Sequence, residues 1–171
     1  MLMDQIEGPE GPASIETLYE RYGTLMFHYL LAVLGRREDV EDVLQEVFVN
    51  LTRYRENLER ACSSRAYAMT VLRHEALRHL GRRREITDYD FSLLEARPES
   101  SVTSEEARRL QTALAALPLE QREVVVMKFY EGLHFSEIAE IVGTPIATVA
   151  SRYRYALEKL RAILGRQAEE D

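Results

Sequence analysis

Thr148, Ser151, Arg152 and Arg154 fall on one side of a helical stretch whose other side is apolar. Hydroxyl and guanidinium groups so placed suit hydrogen bonds to phosphates and base edges, the contacts by which a helix reads a DNA major groove. A second group is basic. Between Arg65 and Arg84 six arginines stand against one glutamate, and His74, Arg78 and Arg82 recur every four residues along one helix face. Arg82, Arg83 and Arg84 close that helix, where cations are favoured by the dipole. With Arg73 nearby the density exceeds what a helix end requires, and phosphate contact is the further reason. A third group is acidic: Glu38 to Glu46 holds five acids and no base. The helix dipole accounts for Asp39 and Asp42 in the first turn, but less well for Glu46. Separate acidic and basic faces would let one chain touch a basic protein surface and DNA at once.

None of these groups is a catalytic constellation. There is no nucleophile elbow, phosphate-cradling glycine loop or metal-spaced histidine pair, and the acids have no partner histidine. The single cysteine, Cys62, forms no internal disulfide, and with four scattered histidines it makes no zinc pattern. The expectation is a protein that is not an enzyme and holds no cofactor or metal.

The elements that must position these groups are helical throughout. From Phe135 the periodicity predicts a helix capped by Ser136, with Ile138, Ala139 and Val142 inward. Gly143 supplies the left-handed residue that ends it, and Pro145 opens the next helix. That helix buries Val149, Tyr153, Ala156, Leu160 and Ile163 and leaves the first polar group outside. The pair reads as a helix-turn-helix. Upstream, a helix from Ser14 to Gly35 presents Ile15, Leu18, Tyr22, Leu25, Met26, Tyr29, Leu30 and Val33 on one face. A second, from Glu38 to Tyr54, buries Val40, Val43, Leu44, Val47, Phe48 and Leu51. Residues 55–64 read as a polar loop, with Ser63 or Ser64 capping a third helix over 65–83 that buries Met69, Leu72, Ala76 and Leu80. Residues 85–102 read as an interdomain linker, being long and polar for a loop within one domain. Thr103 and Glu106 form a capping box ahead of Leu110, Leu114 and Leu117. Pro118 divides that helix from the next, which carries Val124, Val125, Met127 and Phe129 into the core and ends at Gly132.

The architecture expected is therefore all-α: two small helical domains, 14–84 and 103–165, joined by a flexible linker at 85–102. A disordered leader occupies 1–13 and a frayed tail 166–171. With 46% hydrophobic and 30% charged residues a folded, soluble chain follows, and no run is apolar and long enough to span a membrane. The acidic N-terminus lacks the features of a signal peptide, so a cytoplasmic protein is expected. A net charge of −7 argues against a simple nucleic-acid coat and for localised contact.

Two blocks of this sequence carry a resemblance. LYERYGTLMFHYLLAVLGRREDVEDVLQEVFVNL resembles region two of the extracytoplasmic-function (ECF) sigma factors of bacterial RNA polymerase, with Asp39, Asp42, Gln45, Glu46 and Phe48 on the signature D..D..QE.F. LPLEQREVVVMKFYEGLHFSEIAEIVGTPIATVASRYRYALEKL resembles region four, in the order LP…QREV…EG…EIAEI.G.P..TV.SR. The resemblance implies a non-catalytic subunit that directs promoter-specific initiation. Asp39, Asp42, Gln45, Glu46 and Phe48 would dock on the β′ clamp of core polymerase, with further contacts to the β subunit. Tyr67, Arg73, His74, Arg78, Arg82, Arg83 and Arg84 would melt and hold the −10 element. Tyr67 stands where the family usually has Trp; it reads equally as a platform for bases and as a half-buried core aromatic. Thr148, Ser151, Arg152 and Arg154 would read the −35 element. An anti-sigma factor is the regulator implied.

Departures from the pattern are specific. Ala147 and Ala150 replace a usual Gly and a basic residue, Tyr155 and Leu157 replace Arg, His74 and Arg78 replace Asn and Asp, and Gly81 interrupts the Arg run. They point to an unusual −35 sequence. Two other functions fit parts of the chain: a sigma-like mimic that sequesters an anti-sigma factor without touching DNA, and a stand-alone helix-turn-helix regulator. The altered third helix favours the mimic slightly, though no phosphoacceptor module accompanies it; the acidic second helix and the long linker have no purpose in the stand-alone regulator.

Overall fold

The computed structural model describes residues 13–82 and 104–169, and the described residues are all-α. Four helices precede the break: α1 (Ile15–Leu34), α2 (Arg37–Thr52), α3 (Arg55–Ser63) and α4 (Arg65–Arg82). Four follow it: α5 (Ser104–Ala115), α6 (Leu119–Glu131), α7 (Phe135–Val142) and α8 (Ile146–Glu169). The expected leader apart from Ala13, the expected linker, the Thr103 cap, Arg83 and Arg84 lie outside the described residues.

Local chemistry sets the boundaries of the first helical cluster. The Ser14 hydroxyl accepts the Thr17 N–H at 3.1 Å, and Gly35, at φ 75°, ends α1 by donating to the Leu31 carbonyl. Of the two serines the sequence offered ahead of α4, Ser64 is the cap: its Oγ accepts the Tyr67 N–H at 3.2 Å. The segment expected as a polar loop, 55–64, is instead α3. Leu58, Ala61 and Cys62 fall at i, i+3 and i+4 and are buried, while Arg55 and Glu59 pair at 2.8 Å on the outside. Nine residues are too few for a stable isolated helix, so packing on α2 and α4 sustains it.

In the second cluster α8 packs on both α5 and α6, around Leu114, Leu117, Val125, Ala156 and Leu160. Pro118 stands at the N-cap of α6, and Gly132 and Gly143 end α6 and α7 in left-handed conformations, as the sequence predicts. Three expectations change. The N-cap of α7 is His134 rather than Ser136, with Glu137 reaching back to the His134 N–H at 2.9 Å. Phe129 lies 69% exposed in the last turn of α6, although it shares a helix face with the buried Arg122 seven residues before it, and Val126 is buried in its place. The expected tail continues α8 as far as Glu169.

The two clusters also share a core. In α1 the run from Tyr29 to Leu34 is buried on every side, not along one stripe. A helix apolar all round must be covered all round. Here α2 and α4 cover one side of α1 and α6 covers the other, while α4 packs along α7. Val124, Met127, Leu133, Ile138 and Val149 of the second cluster join the apolar core of the first.

Candidate docking and nucleic-acid surfaces

The acidic group of α2 forms one wall of a groove of about 670 Å³, with α4 as the other wall. Asp42 and Gln45 are exposed and Glu46 is half-buried. Arg78 Nη2 lies 3.3 Å from Glu46 Oε2, and Arg82 Nη1 lies 3.5 Å from Glu46 Oε1. Arg78 also pairs with Glu75, which accepts from Asn50 Nδ2 at 3.0 Å. Two cations that the sequence assigns to DNA thus neutralise an acid that it assigns to a protein partner. The acidic and basic faces are not separate but meet along this groove, because α2 and α4 pack side by side. Asp39 stands apart from its neighbours. It is buried, with Oδ1 3.1 Å from His79 Nε2, and ties the start of α2 to the end of α4 instead of facing solvent. Phe48 is half-buried against the core.

Along α4 the expected nucleic-acid residues have diverse settings. His74 is exposed. The Tyr67 ring is half-buried against the core, and the Arg60 guanidinium covers it at 4.3 Å, so a base could stack there only after Arg60 swings away. Arg73 is largely withdrawn from solvent. Its Nε and Nη2 donate to the two oxygens of Glu123 at 2.8 and 3.2 Å, and Glu123 also accepts from the Tyr29 hydroxyl at 2.6 Å. The Glu123 side chain is 1% exposed, yet it accepts three hydrogen bonds, two of them from a cation. Burial works against the Arg73 charge, and the Glu123 carboxylate more than restores it. The Tyr29 phenol is pushed well above its ordinary range, first by burial and then by the neighbouring Glu123 charge. A second pair, Arg65 Nη2 to Glu137 Oε1 at 2.6 Å, links α4 to α7.

The helix-turn-helix is formed by α7 and α8. The Pro145 carbonyl accepts from Thr148 and Val149 and starts α8. Val149 and Ala156 are buried and hold α8 against the cluster, while Phe135 packs edge-on to Tyr153. Helical spacing sets Thr148, Ser151 and Arg152 on a common arc, half-buried. Arg154 is exposed beside it, with its guanidinium 4.9 Å from the Tyr155 ring. The Ser151 hydroxyl donates to the Ala147 carbonyl at 2.9 Å, which leaves its lone pairs for an incoming donor.

Two residues of consequence were missed in the sequence: Arg122 and Glu123, both buried in α6. Arg122 Nη1 donates to the Ala32 carbonyl at 3.0 Å, and Nη2 donates to Ala115 and Leu117 at 2.8 and 3.0 Å. These carbonyls belong to the last turns of α1 and α5 and the residues after α5, where backbone acceptors have no helical partner and a cation is favoured. The signal was an adjacent Arg and Glu directly before the apolar run VVVM, a poor place for unpartnered charge. Among the described residues no group of three or more His, Cys, Asp or Glu is placed to hold a metal ion, and no helix is long and apolar enough to cross a membrane.

Residues 18–86 match the family described as Sigma-70 region 2, and residues 107–160 match Sigma-70 region 4. The ECF RNA polymerase sigma factor SigL of Mycobacterium tuberculosis is 28% identical over 158 residues, covering 89% of each chain. SigX of Bacillus subtilis, also an ECF sigma factor, is 23% identical over 159 residues, covering 86% of this chain and 82% of its own. Among solved structures, the sigma factor RpoE of Bartonella quintana, in complex with the anti-sigma factor NepR, superposes with a TM-score of 0.68 at 20% identity, covering 88% of this chain and 96% of that one. CnrH, in complex with the cytosolic domain of CnrY, gives 0.64 at 22%, covering 88% and 87%. At those identities the likeness is one of fold.

Proposed function

We propose a promoter-specificity role for this chain, which belongs to the extracytoplasmic-function (ECF) sigma factor family. A sigma factor is not a catalyst; polymerase makes the phosphodiester bonds. The observation that carries the proposal is the presence of both sigma regions in one chain, in order, over residues 18–86 and 107–160. Asp42, Gln45 and Glu46, on the groove between α2 and α4, offer acceptors to the basic clamp of the β′ subunit, and region four rests on the β subunit. Asp39 acts behind them by holding α2 against His79. Phe48, half-buried below, supports the same face.

Arg73, His74, Arg78 and Arg82, with Arg83 and Arg84 after them, supply cations to the phosphates of the −10 element, and Tyr67 offers a ring to an unstacked base. Thr148, Ser151, Arg152 and Arg154 read the −35 element from α8. Arg154 is the strongest candidate for a bidentate contact to guanine, because it is exposed and its plane is steadied by Tyr155. An anti-sigma factor belongs to the proposal, since RpoE was captured with the anti-sigma factor NepR. Such a protein works in the cytoplasm, where polymerase is. The test is reconstituted run-off transcription with core polymerase and a randomised promoter library. New start sites dependent on this chain are expected; a chain that joins core enzyme and yields none would leave the mimic.

A further inference from the structure

The groove between α2 and α4 is acidic in sequence, yet most of its charges are consumed within it. Glu46 faces Arg78 at 3.3 Å and Arg82 at 3.5 Å. Glu75 pairs with Arg78 and accepts from Asn50, and Asp39 is turned inward on His79. Two charges of the lining stay outside these pairs. They are Asp42 and Arg53, both exposed, and neither is in an ion pair among the described residues.

These two charges have opposite signs and share one face. At 3.6 residues per turn, Asp42, Glu46, Val49 and Arg53 lie within about 60° of one another around α2. Arg53 follows the last residue of α2 with helical angles, φ −61° and ψ −31°, so it continues that stripe. Asp42 and Arg53 are then about 16 Å apart along the axis at 1.5 Å per residue. Between them Val49 is 54% exposed, one turn before Arg53. The helix dipole favours a cation at the end of α2, which accounts for the position of Arg53 but engages none of its donors. It does not account for Asp42, because α2 starts at Arg37 and Asp42 lies past the first turn.

A purely acidic dock has no use for a free cation there. A basic partner lying along the groove is drawn to Asp42 and repelled at Arg53, and like charges brought together across an interface cost affinity. The Glu46 charge does not offset this, since Arg78 and Arg82 already balance it; Glu46 offers lone pairs rather than net charge. We infer that the groove takes a partner segment of mixed charge: a base against Asp42, an apolar side chain against Val49 and an acid against Arg53, in that order over about 16 Å. The inference rests on the proposed docking of core polymerase for the identity of the partner, and it specifies which kind of clamp surface fits. Charge order also sets direction. A segment laid end for end meets like charge at both ends, polyanions are refused at Asp42, and polycations are refused at Arg53.

The test is equilibrium binding of the full-length chain to core polymerase, followed by fluorescence anisotropy. Arg53→Gln and Asp42→Asn should each weaken the complex about two- to fivefold, the range of an exposed ion pair. Arg53→Glu, which sets an acid against an acid, should weaken it about tenfold. Circular dichroism checks that each variant keeps its helicity. Should Arg53→Gln bind as well as the native chain or more tightly, the inference is overturned, because an acidic dock gains by losing that cation. A second measurement needs no polymerase. A helical peptide with Lys and Glu spaced as Asp42 and Arg53 are, and Leu between them, should shift the Val49 methyl resonances at lower concentration than the same peptide with Lys at both places. Arg53→Gln should erase the difference. Equal response to the two peptides in the native chain would also overturn the inference. Failure of the native chain to bind core polymerase would instead sink the docking reading, with the charge order still decided by the peptides.

Discussion

Replacing Arg122 by Met should weaken the second helical cluster more than any surface substitution. The guanidinium makes three hydrogen bonds to backbone carbonyls; two of them, to Ala115 and Leu117, lie within that cluster. Bonds from a charged donor contribute about 1.5–3 kcal/mol each, so the internal two contribute about 3–6 kcal/mol. Methionine fills most of the same volume and relieves a buried charge, which returns part of that and leaves a net loss of about 2–4 kcal/mol. A cluster of roughly 60 residues has about 3–9 kcal/mol in total at usual per-residue stabilities. The variant should therefore sit near its unfolding midpoint over α5–α8 while α2 and α3 stay folded. Segment-resolved hydrogen exchange measures this directly. Protection in α5 and α6 should fall about 30- to 1000-fold, the exchange equivalent of that free energy, with α2 and α3 unchanged. A loss below about fivefold would show that water replaces the guanidinium without cost, and the argument from buried carbonyls would be wrong.

Other outcomes follow from single features. Asp42→Lys with Glu46→Lys should abolish binding to core polymerase while leaving helicity intact, as measured by co-elution and circular dichroism; retained binding would reduce the acidic face to dipole compensation. Arg154→Ala should weaken −35 duplex binding by about 1–3 kcal/mol and relax one base position, and an unchanged base preference in a selection from random duplexes would remove it from the reading set. Burial pushes the Glu137 carboxyl up, but Arg65 and the His134 N–H outweigh burial and hold it below its ordinary value of 4.5. Its contribution to the α4–α7 contact is then complete above that value and is lost as the pH falls through the lower, folded one. Amide protection of α7, corrected for the intrinsic exchange rate, should fall on acidification below pH 4.5, and Glu137→Gln should flatten that part of the titration.

What could be read in the sequence and what could not divide along a physical line. Helices with one apolar stripe and a punctuating residue were legible: Ser14 and Gly35 bound α1, and Gly132 and Gly143 stop α6 and α7, because these residue types act over one turn of chain. The missing α3 was legible in principle, since Leu58, Ala61 and Cys62 have helical spacing, but four charged residues around them gave it the look of a loop. Contacts between distant segments were not legible. Phe129 has the hydrophobicity of a core residue and stands 69% exposed in the last turn of α6, a placement that no local pattern reports. Arg73 has the chemistry of a phosphate ligand and is paired because α6 brings Glu123 to it across 50 residues of chain. Asp39 matches the docking signature and is turned inward by His79, 40 residues on. Residue type and local period report the helix; only the packing of one helix on another reports whether a charge is offered or engaged.

The central claim is that this chain carries a promoter-reading surface to RNA polymerase, and single-round transcription tests it most directly. Core enzyme should initiate at defined new sites when this chain is added, and initiation should vanish when Asp42 and Glu46 are both changed to Lys. Initiation that is absent with the native chain, or undiminished with the reversed charges, would contradict it.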